Sequence, residues 1–331
     1  MSAIDRARDL RLGEPWSRGQ RRKNEVLWAL ASVALAALRP VPLRGLRALG
    51  RTLGRAAYLL VGRARRTSLA NVARVYPGAA AAQRRALVRR SFTALGESLG
   101  ETVALLQVGK CPPLEVTAEA RRLLESAMSG GRGVIFVSAH LGPWERVAAS
   151  LVAAGVPLVA LARQSYDPRF TRLYERLRTG QGVAVVWREH PGAARQILRT
   201  LRAGHVLGVP MDLRSRVPSC EAPFLGHPAP TPIGPARIAL RARAAVLVGT
   251  VARAGSAGER LVVTATRIDT SDLAADDAGA RELTLRLNGE LSRRILAIPD
   301  RWVWMHERWD AGDGRSQKPA PARARPSESG V

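Results

Sequence analysis

The sequence is poor in several features that would place it in common protein classes. Two cysteines among 331 residues exclude a disulfide-built scaffold and a cysteine-rich zinc array. Aromatic residues make up only 5% of the chain, and they cluster near the C-terminus. This disfavours a nucleic-acid interface that stacks bases on exposed aromatic rings. No run of 18 uninterrupted apolar residues occurs, so the sequence does not strongly predict a membrane-spanning helix.

Acidic residues are scarce relative to basic ones, with 27 Asp and Glu against 52 Lys and Arg, which gives a formal net charge of +25. Hydrophobic residues make up 46% of the chain, enough for a folded core, so the charge does not indicate a disordered basic protein. A charge of this size favours a polyanionic partner: nucleic acid, an anionic membrane surface or an acidic protein.

The excess of positive charge is concentrated near the N-terminus, where residues 1–70 hold 15 basic and 4 acidic side chains. Val26–Leu38 is apolar except for Ser32, and as a helix it would be about 20 Å long, short of a hydrocarbon core of about 30 Å. Leucines recur at helical spacing over Leu43–Leu60, beside a parallel stripe of arginines at 44, 47, 51 and 55. We therefore expect residues 1–62 to form membrane-associated helices, which either span the membrane or lie on its anionic surface. The alternative is that they are ordinary surface helices of the folded domain.

Beyond this region the sequence predicts a helix over Arg84–Leu105, preceded by a connecting segment over 71–78. From about residue 130, short apolar runs alternate with arginine-rich helical segments. This alternation predicts an α/β fold with a central, mostly parallel sheet flanked by helices. The predicted strands are 133–138, 156–162, 183–187, 205–210, 245–253 and 261–267; the predicted helices are 118–128, 169–178, 192–202 and 235–242. We expect one folded domain over 63–310 and a disordered tail over 311–331, which is rich in Pro, Gly, Ser and charge.

The strongest chemical signal follows the first predicted strand, in the sequence VSAHLGPWE of residues 137–145. His140 stands at the carboxyl end of the strand, where open α/β sheets place their sites, and Glu145 lies in the first turn of the next helix. The intervening turn lets the imidazole fold back toward the carboxylate, which would fix its tautomer and raise its basicity. The pair predicts a general base for a hydroxyl or an amine. Metal binding is the rival interpretation, but no third ligand follows at a suitable spacing, so we predict no metal.

Six segments match, in order, short motifs of one known family: 71–77 (NVARVYP), 140–145 (HLGPWE), 162–168 (ARQSYDP), 175–178 (ERLR), 211–229 (with MD and PFLGHPA) and 299–309 (PDRWVWMHERW). On these segments, residues 25–310 resemble the bacterial lipid A late acyltransferases (lauroyl/myristoyl acyltransferases) and their phosphatidylinositol mannoside acyltransferase relatives. Pro143 and Leu213 depart from the family's Asn and Gln, and the proline of its Arg-Pro step is missing after Ala162.

The resemblance implies a glycerolipid-acyltransferase-like fold and transfer of a fatty acyl chain from an acyl carrier protein or CoA thioester to a hydroxyl of a glycolipid, most simply a lipid A precursor. His140 would be the general base, Glu145 would orient it, and Arg178 would stabilise the oxyanion, with Arg176 as the alternative donor. Arg163, Arg176 and Asp212 would bind or shape the substrates. No cofactor is expected.

The Gly-x-Ser-x-Gly spacing occurs once, as GESLG at residues 96–100, but inside the predicted helix Arg84–Leu105 and not at a strand-to-helix elbow. Without such an elbow and without a Cys–His setting, the sequence favours direct attack in a ternary complex over an acyl-enzyme. The expected partners are the acyl donor, the glycolipid acceptor and an anionic membrane surface, without nucleic acid. The expected location is the cytoplasmic face of the cell inner membrane. Two alternatives stay open: a phosphatidylinositol mannoside-type or other glycolipid acyltransferase, and a non-catalytic, basic membrane-binding protein.

Overall fold

A computed structural model gives the structure of residues 8–9, 13–255, 258 and 260–309. The tail predicted over 311–331 lies outside these described residues. The helices are α1 Arg18–Ala37, α2 Leu43–Leu60, α3 Gly62–Val75, α4 Ala81–Leu105, α5 Ala118–Ser129, α6 Trp144–Ala153, α7 Pro168–Gly180, α8 Ala193–Arg202, α9 Gly234–Ala242 and α10 Asp277–Ala297, followed by a short 3-10 helix, Pro299–Arg301. The strands are β1 Arg8–Asp9, β2 Glu14–Pro15, β3 Glu115–Val116, β4 Val134–Ser138, β5 Leu158–Ala162, β6 Ala184–Trp187, β7 Val206–Pro210, β8 Ser219–Phe224, β9 His227–Pro232, β10 Ala245–Ala254 and β11 Arg260–Ile268.

The centre of the molecule is a seven-stranded sheet in the order β3-β11-β10-β4-β7-β5-β6. Every neighbouring pair is parallel except β10 and β11. Strands buried on both faces read as continuous apolar runs, and the first four residues of β4, Val134 to Val137, are accordingly buried. The predicted α/β fold with a mostly parallel sheet flanked by helices is confirmed, and the six predicted strands all occur with ends shifted by at most two residues.

α2 and α4 cross at very short distance because glycines face each other at the crossing: Gly50 and Gly54 on α2, Gly96 and Gly100 on α4. A Cβ atom built on any of the four would lie less than 3.0 Å from a backbone oxygen of the opposite helix. Small residues at four-residue spacing let two helix backbones approach in this way. The glycine crossing therefore joins the N-terminal helices to the rest of the fold.

The crossing also decides where the arginine stripe of α2 points. Arg47 donates to Glu101 and Arg51 donates to Glu97, both on α4, at 2.7 and 2.8 Å between nitrogen and oxygen. Two of the four arginines expected to meet a membrane are thus engaged within the protein. Arg44 and Arg55 remain exposed on the same helix.

Large apolar side chains are instead exposed on the outer faces of the first two helices. On α1 these are Val26, Leu27, Leu30 and Val33; on α2 and at its end they are Leu49, Leu53, Leu59, Leu60 and Val61. We call these residues the α1–α2 apolar surface. Among the helices of the described residues, none is both long enough and apolar enough to cross a membrane.

Three elements differ from the sequence-based expectations. The connecting segment predicted over 71–78 is wrong for its first part, because α3 continues to Val75 and only the turn after it is irregular. Asn71 faces inward from that helix and donates its side-chain amide to the backbone oxygens of Trp304 and His306. The long helix α10 and the β8–β9 hairpin were not predicted. The hairpin contains several prolines, which a separate two-stranded ribbon tolerates because each strand has an unpaired edge.

Candidate active site

The first feature of the site is the meeting of His140 and Asp212 at the carboxyl edge of the sheet. β4 and β7 are parallel neighbours, and the last residue of one, Ser138, lies opposite the last residue of the other, Pro210. His140 and Asp212 each follow two residues later, so their side chains emerge at the same level. Nδ1 of His140 lies 2.9 Å from Oδ1 of Asp212. The pairing is thus a consequence of strand register.

Asp212 is fully buried and is held by three N–H groups. The backbone N–H of His140 donates to Oδ2 at 2.9 Å, and Nε1 of Trp302 donates to the same oxygen at 2.8 Å. Trp302 is itself fixed by an antiparallel bridge to Leu141. Burial alone would raise the pKa of Asp212, but the charge of His140 and these hydrogen bonds lower it below its usual value. The carboxylate is therefore ionised and has a fixed orientation.

The environment of His140 suits a proton acceptor. Burial lowers the pKa of the imidazole, but the charge and hydrogen bond of Asp212 outweigh that effect, so the pKa is raised. Because an ionised carboxylate only accepts hydrogen bonds, Nδ1 carries a hydrogen and Nε2 of the neutral ring is left as the acceptor. The imidazole side chain is 26% exposed, and its ring lies against Trp144 with 5.0 Å between centroids.

The second feature is a paired carboxylate and guanidinium. Nε and Nη2 of Arg178, near the end of α7, donate to Oε2 and Oε1 of Glu145 at 3.0 and 2.6 Å. The two side chains are 17% and 5% exposed. Burial alone would lower the pKa of Arg178, but the hydrogen bonds and charge of Glu145 raise it. The partner of Glu145 is thus Arg178, and the carboxylate on the imidazole is Asp212; this corrects the expected pairing of His140 with Glu145.

His140 and the Glu145–Arg178 pair line one cavity of about 100 Å³ beside the sheet, and Asp212 lies behind His140, outside the wall. His140, Glu145 and Arg178 supply its charged or titratable groups, and most of the remaining wall is apolar. Its apolar side chains come from β4, β5, β7 and α6, and include Phe136, Val147, Leu151, Leu158, Leu161 and Val209. An apolar cavity with a few convergent polar groups is the usual form of a small-molecule site.

The other two predicted substrate-binding arginines lie outside this wall. Arg163 is exposed after β5 and stacks over the ring of Tyr166 at 4.5 Å. Arg176 is exposed on α7, two residues before Arg178. Residues two apart on a helix project about 160° apart, so Arg176 points away from the cavity wall that holds Arg178. The structure thus brings together four of the six predicted site residues. The catalytic and binding roles assigned to all six stay predictions.

Sequence reasoning missed Trp302 as a hydrogen-bond donor to the site and treated Asp212 as a substrate-binding residue. One signal was present, since His140 and Asp212 follow predicted strand ends at the same offset. Using it required the strand order, which periodicity does not reveal.

As for metal binding, no group of three or more His, Cys, Asp or Glu side chains in the described residues is arranged to hold an ion.

Comparison with known proteins places this site in a family. The model of one protein family, described as bacterial lipid A biosynthesis acyltransferase, matches residues 19–311. Comparison with curated protein sequences gives no match. The family match covers most of the chain, including both strand ends, the Glu145–Arg178 pair and Trp302. The protein therefore belongs to the bacterial lipid A biosynthesis acyltransferase family and is an acyltransferase.

Proposed function

We propose that the protein transfers a fatty acyl chain from an acyl carrier protein or CoA thioester to a hydroxyl of a lipid A precursor, with His140 as general base. The observation that carries this proposal is the contact of 2.9 Å between Nδ1 of His140 and buried Asp212, at an apolar cavity whose wall also holds Arg178. Family membership supports acyl transfer. The donor, the acceptor and the base are the parts we propose.

In the proposed reaction, Nε2 of His140 takes the proton of the acceptor hydroxyl as its oxygen attacks the thioester carbonyl carbon. Asp212 keeps the hydrogen on Nδ1 and stabilises the imidazolium that forms. The tetrahedral intermediate collapses, the carbon–sulfur bond breaks, and the leaving thiolate receives the proton from Nε2. The products are an ester and a thiol, and His140 returns to its starting form.

Arg178 is the proposed donor to the oxyanion. A guanidinium carries five N–H groups, and Glu145 accepts only two of the hydrogen bonds that they can make. The remaining donors and the positive charge are held in place at the cavity wall by that bidentate contact. One fixed donor to an oxyanion contributes about 3 kcal/mol to transition-state stabilisation. Glu145 then acts as a positioning residue, not as the partner of the base.

The apolar part of the cavity is the proposed site for the acyl chain next to the thioester. Leu151, Leu158 and Leu161 offer it an apolar wall between the sheet and α6. Burial of each methylene there contributes about 0.8 kcal/mol to binding. The chain would thereby hold the carbonyl carbon beside His140.

We further propose that the α1–α2 apolar surface rests on an anionic membrane, on the cytoplasmic face of the inner membrane. Leu60 is 82% exposed and Val33 is 68% exposed. Exposing such apolar side chains to water costs free energy, and contact with lipid would remove that cost. Exposed Arg44 and Arg55 on the same region can meet anionic head groups. The net charge of +25 supports contact with an anionic membrane surface. It also supports an acidic acyl carrier protein as the acyl donor.

The test is mass spectrometry of envelope lipids from a host strain that lacks the gene and carries either the wild-type chain or His140→Gln. We expect loss of one acyl chain from lipid A, restored by the wild type and not by the variant. Loss from a phosphatidylinositol mannoside instead would reassign the acceptor. An unchanged lipid profile together with no acyl transfer in vitro would refute the proposed activity and favour the alternative of a non-catalytic membrane-binding protein.

A further inference from the structure

The two most deeply buried charges of the described residues are Asp212 and Arg308, both of which are 0% exposed. The next most buried charged residue, Asp167, is 5% exposed. Charged side chains are almost never fully buried unless they are paired, because a protein interior solvates a charge far less well than water does. Two fully buried charges of opposite sign therefore call for an explanation, and the proposed reaction uses only Asp212.

Arg308 packs against the β8–β9 hairpin, where its hydrogen bonds go to neutral acceptors. Nη1 donates to the backbone oxygen of Pro230, and Nη2 donates to Oγ1 of Thr231 at 2.7 Å. Among the described residues, Nε has no hydrogen-bond partner and no carboxylate is in ion-pair contact with the guanidinium. Burial lowers the pKa of Arg308 to about 10, so the side chain is still charged at neutral pH. A positive charge is thus held in the interior without a countercharge in contact.

Asp212 is in the matching situation with a negative charge. Its carboxylate accepts from the backbone N–H of His140, from Nδ1 of the same residue and from Nε1 of Trp302. All three donors are neutral while His140 is the unprotonated base, because only proton transfer makes the imidazole cationic. Before the reaction, the buried carboxylate therefore has hydrogen bonds but no countercharge in contact.

Two buried aromatic rings connect these charges. The guanidinium carbon of Arg308 lies 4.5 Å from the centre of the Phe224 ring. The rings of Phe224 and Trp302 are 5.6 Å apart between centroids, and Nε1 of Trp302 donates to Asp212. Because both rings are buried, the charges are separated by protein interior, in which electrostatic attraction extends beyond contact distance. The charge of Asp212 accordingly opposes the lowering of the pKa of Arg308 by burial.

We propose that Arg308 is the long-range countercharge of Asp212 and a positioning residue that acts on the base through that carboxylate; the inference rests on the proposed function of His140. Before the reaction, Arg308 stabilises the ionised form of Asp212. Once His140 takes a proton, the carboxylate has a second positive neighbour, so the charge of Arg308 opposes protonation of the imidazole. Asp212 favours the imidazolium, and Arg308 limits that effect, so that the base is free of a proton at neutral pH.

Three other titratable or charged groups act on His140. The charge of Glu145, on α6, raises the pKa of the imidazole, and the charge of Arg178, on α7, lowers it. His306 belongs to the same C-terminal segment as Arg308, and burial lowers the pKa of its imidazole, so it is neutral at neutral pH. These three groups are the same in every variant of the test, so a difference between the variants reports the charge of Arg308.

The first measurement is the pH profile of acyl transfer by the full chain. Arg308→Gln removes the charge and keeps an NH2 donor, whereas Arg308→Lys keeps the charge. Arg294→Gln is the matched control, because Arg294 is 6% exposed and pairs with Glu290. We expect the acid limb of kcat/KM to move to higher pH by about one unit in Arg308→Gln, and by less than about 0.3 unit in Arg308→Lys and in the control.

A purely structural residue would change the activity alike at every pH. An unmoved acid limb in Arg308→Gln would therefore overturn the proposal. An acid limb displaced as far in Arg308→Lys as in Arg308→Gln would overturn it as well, since the effect would then not follow the charge.

The second measurement needs no turnover, so it separates a failure of this proposal from a failure of the proposed function. Urea titration of the wild type, Arg308→Gln, Asp212→Asn and the double variant completes a double-mutant cycle. We expect Arg308→Gln to lower the folding equilibrium constant at least about tenfold less in the Asp212→Asn background, where the guanidinium has no countercharge left to lose. If Arg308→Gln alone does not fold, the double variant should recover the folded chain. Equal losses in the two backgrounds, or no recovery, would overturn the proposal.

Discussion

Replacing Asp212 by Asn changes one atom of a buried carboxylate, and its effect can be worked out from the hydrogen bonds. Oδ2 of Asp212 accepts from two N–H groups with fixed geometry, the backbone of His140 and Nε1 of Trp302. The amide oxygen of Asn must take that position, because an NH2 group there would face two donors. The NH2 group then replaces Oδ1 and points at Nδ1 of His140.

An NH2 group at that position forces Nδ1 to accept, so the hydrogen of the neutral ring moves to Nε2. The base then has no lone pair for the acceptor hydroxyl. General-base catalysis contributes about 10²- to 10⁴-fold, so kcat/KM should fall by that factor, which is about 3–5 kcal/mol of activation free energy. The fold should be retained, because all three donor–acceptor contacts can still form.

The pH profile gives an independent measure of the same effect. His140 acts as a base only when unprotonated, and Asp212 raises its pKa, so wild-type activity should be lost as pH falls through that raised value. In Asp212→Asn the pKa of His140 should be lower, which moves the acid limb of the remaining activity to lower pH. The assay is transfer of an isotope-labelled acyl chain between pH 5 and pH 9.

Asp272→Asn is the control, since Asp272 forms an exposed ion pair with Arg286 far along the chain. It should behave as the wild type. Activity of Asp212→Asn within about threefold of the wild type, with an unmoved acid limb, would refute the role of Asp212 as the partner of the base.

Three further perturbations test other parts of the structure. Glu145→Gln leaves the partly buried guanidinium of Arg178 without a countercharge, so acyl transfer should fall at least about tenfold and the free energy of unfolding by about 3 kcal/mol. Transfer is measured by the acyl-transfer assay and stability by urea titration. Full activity would exclude Glu145 as a positioning residue. Gly54→Ala should destabilise the chain by about 1–3 kcal/mol, because the new Cβ meets the α4 backbone. Gly289→Ala, in open space on α10, is the control and should stabilise the chain by about 0.5–1 kcal/mol. Equal melting temperatures of the two variants would contradict the tight crossing. Leu53→Asn and Leu60→Asn should each weaken co-sedimentation with anionic vesicles roughly tenfold without changing circular dichroism, and undiminished binding would show that the membrane contacts another surface.

Much of the fold could be predicted from local pattern. The strands and most helices follow from short apolar runs and helical spacing, since these depend on residues close together in the chain. The same holds for His140, which a strand end and a turn place at the edge of the sheet. The orientation of α2 could not be predicted, because the pairing of Arg47 and Arg51 depends on glycines of α4 that lie about fifty residues away.

The sequence alone determined which residues could do chemistry, and the tertiary structure decided which of them meet. A histidine after one strand and an aspartate after another are visible in the sequence, but only the adjacency and register of β4 and β7 bring Nδ1 of His140 to Asp212. Trp302 completes that contact from the far end of the chain. Glu145 at the start of α6 pairs with Arg178 near the end of α7, 33 residues later in the sequence. Long-range packing, which local periodicity does not encode, thus assigned each carboxylate its partner.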